Sequence, residues 1–189
     1  MMKLVSGHII PLVCLTAFGL LLPSLAWSTT LAQLSLAQLV NSAHTVVHAR
    51  ALGSSCVWRN GEIWTVTTFR VLENWKGSSS PEIKVWMIGG QINRIMSYVP
   101  GAPRFRPGEE VVLFLEPTHT GDLSITAWGE GTFRVRFDAR AGEPRVTQDT
   151  AILPEFDATG YVFQHSEIKN CPLRVLRLRV EEAERGYVQ

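Results

Sequence analysis

Val57-Trp58-Arg59-Asn60-Gly61-Glu62-Ile63-Trp64 decides how this chain folds. Asn-Gly supplies the two positive φ angles of a type I′ turn, and here it joins two short runs of strand-forming residues, so the segment predicts a β-hairpin. The returning strand, residues 62–75, is long and rich in Thr, Val, Ile and aromatic side chains. Strands of that length coil around a barrel in preference to lying flat. Upstream, residues 44–52 predict another strand. Thr45, Val47, Ala49 and Ala51 are small enough for a crowded interior, while His44, His48 and Arg50 alternate outward with Val46 among them.

Downstream, Lys76-Gly77-Ser78-Ser79-Ser80-Pro81 is a turn, and strands are expected at 82–88, 109–116, 123–128 and 132–137. The 109–116 run is apolar between acids, as in a strand buried on both faces. In the last run Phe133, Val135 and Phe137 make a dry face and Arg134 and Arg136 a wet one. Ser35 and Gln38 form a capping box with Leu34 placed to staple onto Leu39. Leu36, Leu39, Val40 and Ala43 then make the apolar stripe of a short N-terminal helix. A second helix is expected after Asn170-Cys171-Pro172, with Leu173, Leu176, Val180 and Ala183 on one face. The fold class is therefore mainly β: a small antiparallel barrel or sandwich with a helix near each end. Residues 29–147 form the β domain and 148–189 an irregular extension ending in a helix.

Residues 1–28 have the pattern of an export signal: Lys3, an apolar run from 9 to 22, then Pro23-Ser24-Leu25-Ala26-Trp27-Ser28 with small residues at the cleavage spacing. Cleavage after Ala26 or after Ser28 fits. Pro11, Gly19 and Pro23 interrupt the run too often for a comfortable membrane span. A secreted or periplasmic protein without a stable membrane span follows. Without Lys3, 17 cations balance 17 acids, and every acid lies at or beyond Glu62. That balance gives no electrostatic footprint for nucleic acid or for anionic membrane, and turns attention to proteins, glycans or small molecules. Cys14 leaves with the signal. Cys56 and Cys171 remain, an even number in an oxidising compartment, and are expected to pair. Such a bridge would close a loop of about 115 residues, worth on the order of 4–5 kcal/mol in the chain-entropy model.

Three stretches carry a resemblance: His44-Thr-Val-Val-His-Ala-Arg50; Thr67-Thr-Phe-Arg-Val-Leu-Glu-Asn-Trp-Lys-Gly77; and Pro103-Arg-Phe-Arg-Pro-Gly-Glu-Glu-Val-Val-Leu-Phe-Leu115. In that order they resemble an uncharacterised family of exported bacterial proteins. More distantly they resemble the netrin-like modules, the oligosaccharide/oligonucleotide-binding (OB) type barrels shared by tissue inhibitors of metalloproteinases (TIMPs). Lys76-Gly77 and Gly108-Glu109 stand where those modules have a "Lys-Gly" strand end and a "Gly-Glu" turn. The resemblance spans roughly residues 36–138 and implies an OB-like barrel; it speaks to fold far more than to activity. The inhibitors chelate zinc through a cysteine at the mature N-terminus. Here the mature chain would start at Trp27 or Thr29, so that chemistry does not carry over.

Few residues suggest catalysis. His44 and His48 lie four apart without a nearby carboxylate or a His-Glu-x-x-His pattern, so no metal site is expected. His119 and His165 have no evident partner. No serine lies in a Gly-x-Ser-x-Gly elbow, and Glu109 and Glu110, adjacent on a strand, point to opposite faces. Arg174, Arg177 and Arg179, followed by Glu181, Glu182 and Glu184, read as a salt-bridged helix face. The long connection from 89 to 107 is the candidate binding loop. It displays Ile92, Ile95, Met96 and Tyr98 with Arg104 between Gly and Pro punctuation, and long loops on compact barrels carry function. The expectation is a non-enzymatic binding module without cofactor that engages a protein partner. One alternative is a glycan or small-ligand receptor using Trp58, Trp64 or Trp86 as stacking platforms. Another is a hydrolase whose site is not apparent.

Overall fold

The computed structural model describes residues 34–149 and 168–186. The expected export signal, His165 and most of the residues between 148 and 170 lie outside that range. The chain order is α1 (Leu36–Ser42), β1 (Thr45–Arg59), β2 (Glu62–Lys76), β3 (Glu82–Ile88), β4 (Gly90–Ile92), β5 (Ile95–Ser97), β6 (Glu110–Pro117), β7 (Leu123–Ile125), β8 (Thr132–Asp138), β9 (Glu143–Gln148), β10 (Cys171–Pro172) and α2 (Leu173–Glu184). The protein is mainly β with two helices. Asn60 and Gly61 take φ values of 53° and 80°, as the type I′ reading requires, and β1 and β2 pair antiparallel on either side of them. The capping box is present: Ser35 Oγ accepts from the Gln38 N–H, and Gln38 answers the Ser35 N–H.

Eight strands form one sheet in the order β1-β2-β3-β7-β6-β8-β9-β10, and β1 pairs a second time with β6. All pairings are antiparallel except the short β3–β7 contact at Val85 and Leu123. β4 and β5 make a separate two-stranded ribbon. Two buried clusters lie on opposite sides of β1 and β6. One gathers Val47, Ala49, Ala51, Phe69, Val85, Leu113 and their neighbours from β1, β2, β3, β6 and β7. The other packs Val46, Val112, Phe114, Phe133 and Val146 against Leu39 and Val40 of α1 and Leu176 and Val180 of α2. β6 feeds both, Val111, Leu113 and Leu115 to one side and Val112 and Phe114 to the other, which explains its continuous apolar run.

Several expectations need correction. β1 is a single strand of 15 residues that absorbs both predicted runs. Register shifts at Val46/Val47, His48/Ala49 and Ala51/Gly53 let it bend without breaking. Val46 and His48 do not face solvent: Val46 belongs to the cluster packed against both helices, and His48, beside Trp75, is only 8% exposed. The dry face of β8 runs out at Phe137, which is 70% exposed beyond the helix-covered part of the core. The strand expected at 123–128 stops at Ile125, because Ala127 and Trp128 both adopt positive φ. The disulfide is not formed: Cys56 and Cys171 are free thiols. Cys56 stands opposite Thr65 near the β1–β2 turn, whereas Cys171 opens β10 opposite Val146 and packs on the helix-covered cluster. Each thiol has its own strand and its own neighbours, so the even count carried no spatial information.

A candidate binding hairpin

The 89–107 connection is not a structureless loop. Gly90–Ile92 and Ile95–Ser97 pair as an antiparallel ribbon around Asn93 and Arg94, with Gly90 opposite Ser97, Gln91 opposite Met96, and Ile92 opposite Ile95. Asn93 takes φ 54°, a conformation its short polar side chain tolerates, and its carbonyl accepts from Gln91 Nε2 at 3.0 Å. Its base is fixed to the main sheet. The Gly89 N–H donates to the Ile63 carbonyl at 2.7 Å, and Thr65 Oγ1 donates to the Gly89 carbonyl at 2.6 Å. Gly90, at φ 148°, lies so close to β1 and β2 that a Cβ there would stand 2.7 Å from both Cys56 Sγ and Thr65 Oγ1. Only glycine permits that approach. Phe105, after the ribbon, packs edge-on against Phe69 at 5.0 Å between ring centroids, anchoring the far end.

Held at both ends, the ribbon presents large apolar side chains to solvent: Ile95 is 56% exposed, Met96 67% and Tyr98 75%. Ile92 is half-buried and Arg104 exposed. Met96 and Tyr98 share one face of the ribbon, and Ile92 and Ile95 the other. Arg104 Nη1 donates to Thr65 Oγ1 at 3.2 Å, which places its guanidinium at the ribbon's base. Trp58, 51% exposed, follows Cys56 on the β1 face against which Gly90 packs. Sequence reasoning passed over Arg94 and Arg106. The signal was present: from 83 to 108 there is no acid at all.

Two other groupings are notable. Trp64 and Trp86 lie half-buried on the outer face of β2 and β3, where Arg59 stacks over the Trp86 ring at 4.8 Å and pairs with Asp122. On the helix-covered face, His48 Nε2 lies 3.5 Å from Glu110 Oε2, has no hydrogen-bond partner, and sits 6.2 Å from the Trp75 ring. Burial pushes the His48 imidazole pKa down, against the weaker opposing pull of Glu110 and Glu73. Glu110 has its carboxyl held below the usual range, chiefly by its hydrogen bond from Arg50. Glu109 goes elsewhere, to Arg134 at 2.8 Å. His44 and His119 are exposed. Among the described residues no three His, Cys, Asp or Glu side chains converge as metal ligands. An open hollow of about 620 Å³ beside β8 and β9 includes Arg134 and Arg145, which are already engaged by Asp149 and Glu143. No protein-family model and no curated protein matches the chain.

Proposed function

We propose that this chain is an exported, non-enzymatic binding module on an OB-like barrel of netrin type, engaging a protein partner through the β4–β5 hairpin. The barrel reading is supported by the order of pairings: β1 with β2, β2 with β3, β3 with β7, β7 with β6, and β6 back to β1. The cluster drawn from those five strands would be its interior. Export rests on the pattern of residues 1–28. The observation that carries the binding reading is the exposure of Ile95, Met96 and Tyr98 on a ribbon whose base is locked. Folding gains nothing by exposing three large apolar side chains within four positions, whereas association would bury them. A ribbon fixed beforehand also loses less conformational entropy on docking.

The test is a triple variant, Ile95→Ser, Met96→Ser and Tyr98→Ser, recovered from the exported fraction beside the wild type. The variant should keep the same unfolding temperature and lose proteins that co-purify with the wild type. An unchanged set of co-purifying proteins would remove the hairpin as the contact.

A second reading, a glycan or small-ligand receptor, is favoured by one observation: two indoles share the outer face of β2 and β3. Stacking on that face would change tryptophan emission when oligosaccharides are titrated, and Trp86→Ala would abolish the change.

A further inference from the structure

We infer that the partner of the β4–β5 hairpin is an acidic protein surface, a carboxylate-rimmed apolar patch; this rests on the protein-binding reading above. The whole chain is close to neutral, but its charges are not evenly placed. The 26 residues from 83 to 108 contain no acid, and the hairpin and its flank carry Arg94, Arg104 and Arg106. Arg94 stands in the turn, Arg104 at the base, and Arg106 just beyond it. Arg94 and Arg106 are exposed, and among the described residues their guanidinium groups have no carboxylate partner. The nearest acid along the chain, Glu109, accepts from the Arg106 N–H and is engaged by the Arg134 guanidinium. Arg104 spends one donor on Thr65 and is held in place by it. Elsewhere Arg50, Arg59, Arg70, Arg134, Arg145, Arg174, Arg177 and Arg185 face carboxylates within the chain, whereas Arg136, Arg140 and Arg179 have no such pair among the described residues. Three arginines without a carboxylate partner thus lie on the hairpin and its flank, beside the exposed pair Met96 and Tyr98 on one ribbon face and Ile95 on the other.

A cationic rim around an apolar centre complements a surface of reversed rim charge. Rim pairs steer the encounter and fix register while the apolar centre supplies the burial. A bilayer would answer the same charges, but the position of Arg94 argues against it. Entering a membrane tip first would drive the turn's Asn93 side chain and Arg94 guanidinium deepest, where a charge is most costly. A protein surface meets the ribbon from the side and leaves the turn in water.

The experiment selects displayed random peptides on the exported chain and counter-selects on the Ile95→Ser, Met96→Ser, Tyr98→Ser variant. It then measures affinity for the best hairpin-dependent peptide at low and high salt and with Arg94→Glu, Arg106→Glu. Peptides rich in Asp and Glu around one or two apolar residues are expected, weakened roughly tenfold by the charge reversal and several-fold by raising salt well above physiological strength. The salt series uses the wild type alone, so it stands even if a variant folds poorly. Hairpin-dependent peptides without acidic bias or salt sensitivity would overturn this inference and leave the protein-binding reading standing. No hairpin-dependent peptide at all would overturn both. Hairpin-dependent binding to phosphatidylglycerol vesicles without any peptide would overturn the inference in favour of a lipid surface.

Discussion

His48 is the side chain whose position departs furthest from what its neighbours in sequence suggest. Alternation along residues 44–52 places it outward, yet it is buried beside Trp75 and Glu110. Nothing local announces Trp75 and Glu110, which reach His48 only through the pairing of β1 with β2 and β6, so that burial was not readable from the strand. The consequence is measurable. Burial lowers the folded pKa, so the unfolded chain takes up a proton near the ordinary imidazole value of about 6.5 before the folded one does. Stability is therefore intact above that value and falls as pH drops through it toward the lower folded pKa. The unfolding temperature should decline between pH 7.5 and 5.5, and His48→Gln should flatten that decline; equal slopes in both proteins would refute the assignment. Glu110 does not blur the window, because its depressed carboxyl loses its contribution only below the usual carboxylate range. Gly90 offers a second check. With a Cβ forced to 2.7 Å from Cys56 Sγ, Gly90→Ala should cost about 2 kcal/mol and lower the unfolding temperature by several degrees.

The elements divide into those whose signals are local and those fixed from a distance. The Asn60-Gly61 turn, the Ser35–Gln38 capping box and the stripe Leu176, Val180, Ala183 are each contained within a few residues, and each appears where expected. β1 looked broken at Gly53-Ser54-Ser55 because polar and flexible residues ordinarily punctuate; pairing with β2 carries it through a bulge. The β4–β5 ribbon was hidden because three-residue strands leave no periodicity to read. Arg177 illustrates a mixed case. It makes the expected i,i+4 bridge to Glu181 at 2.9 Å, and it also ties α2 to β2 through Glu73, which no local pattern predicts. Lys76, read from sequence as the start of a turn and part of a "Lys-Gly" likeness, ends β2 and has a further physical role. Its Nζ donates to the Val40 and Ala43 carbonyls, the latter at 2.7 Å, capping the C-terminus of α1. Lys76→Met should therefore destabilise the protein by about 1–2 kcal/mol in denaturant titration. The effect should vanish in a chain already lacking Leu36–Ser42, and persistence there would place the role of Lys76 elsewhere.

For the molecule as a whole, mainly β architecture and a helix near each end were readable from pattern, but the arrangement of functional surface was not. Net charge near zero turned attention away from nucleic acid and anionic membrane, but a whole-chain balance does not describe the local distribution: residues 83–108 carry no acid. Paired arginines stitch the sheet and α2 together, while Arg94, Arg104 and Arg106 on the hairpin and its flank face no carboxylate among the described residues. Two buried clusters hold the sheet, and an anchored ribbon projects apolar side chains beyond it. The central proposal is that this ribbon is where the chain meets a protein partner. Photo-crosslinking in the producing cell tests it most directly, with a benzophenone side chain placed at Tyr98 and, as control, at Leu178 on α2, which is also exposed. A discrete protein adduct at Tyr98, absent at Leu178 and suppressed by Arg94→Glu with Arg106→Glu, is the predicted result. No adduct at Tyr98, or the same adducts at both positions, would contradict it.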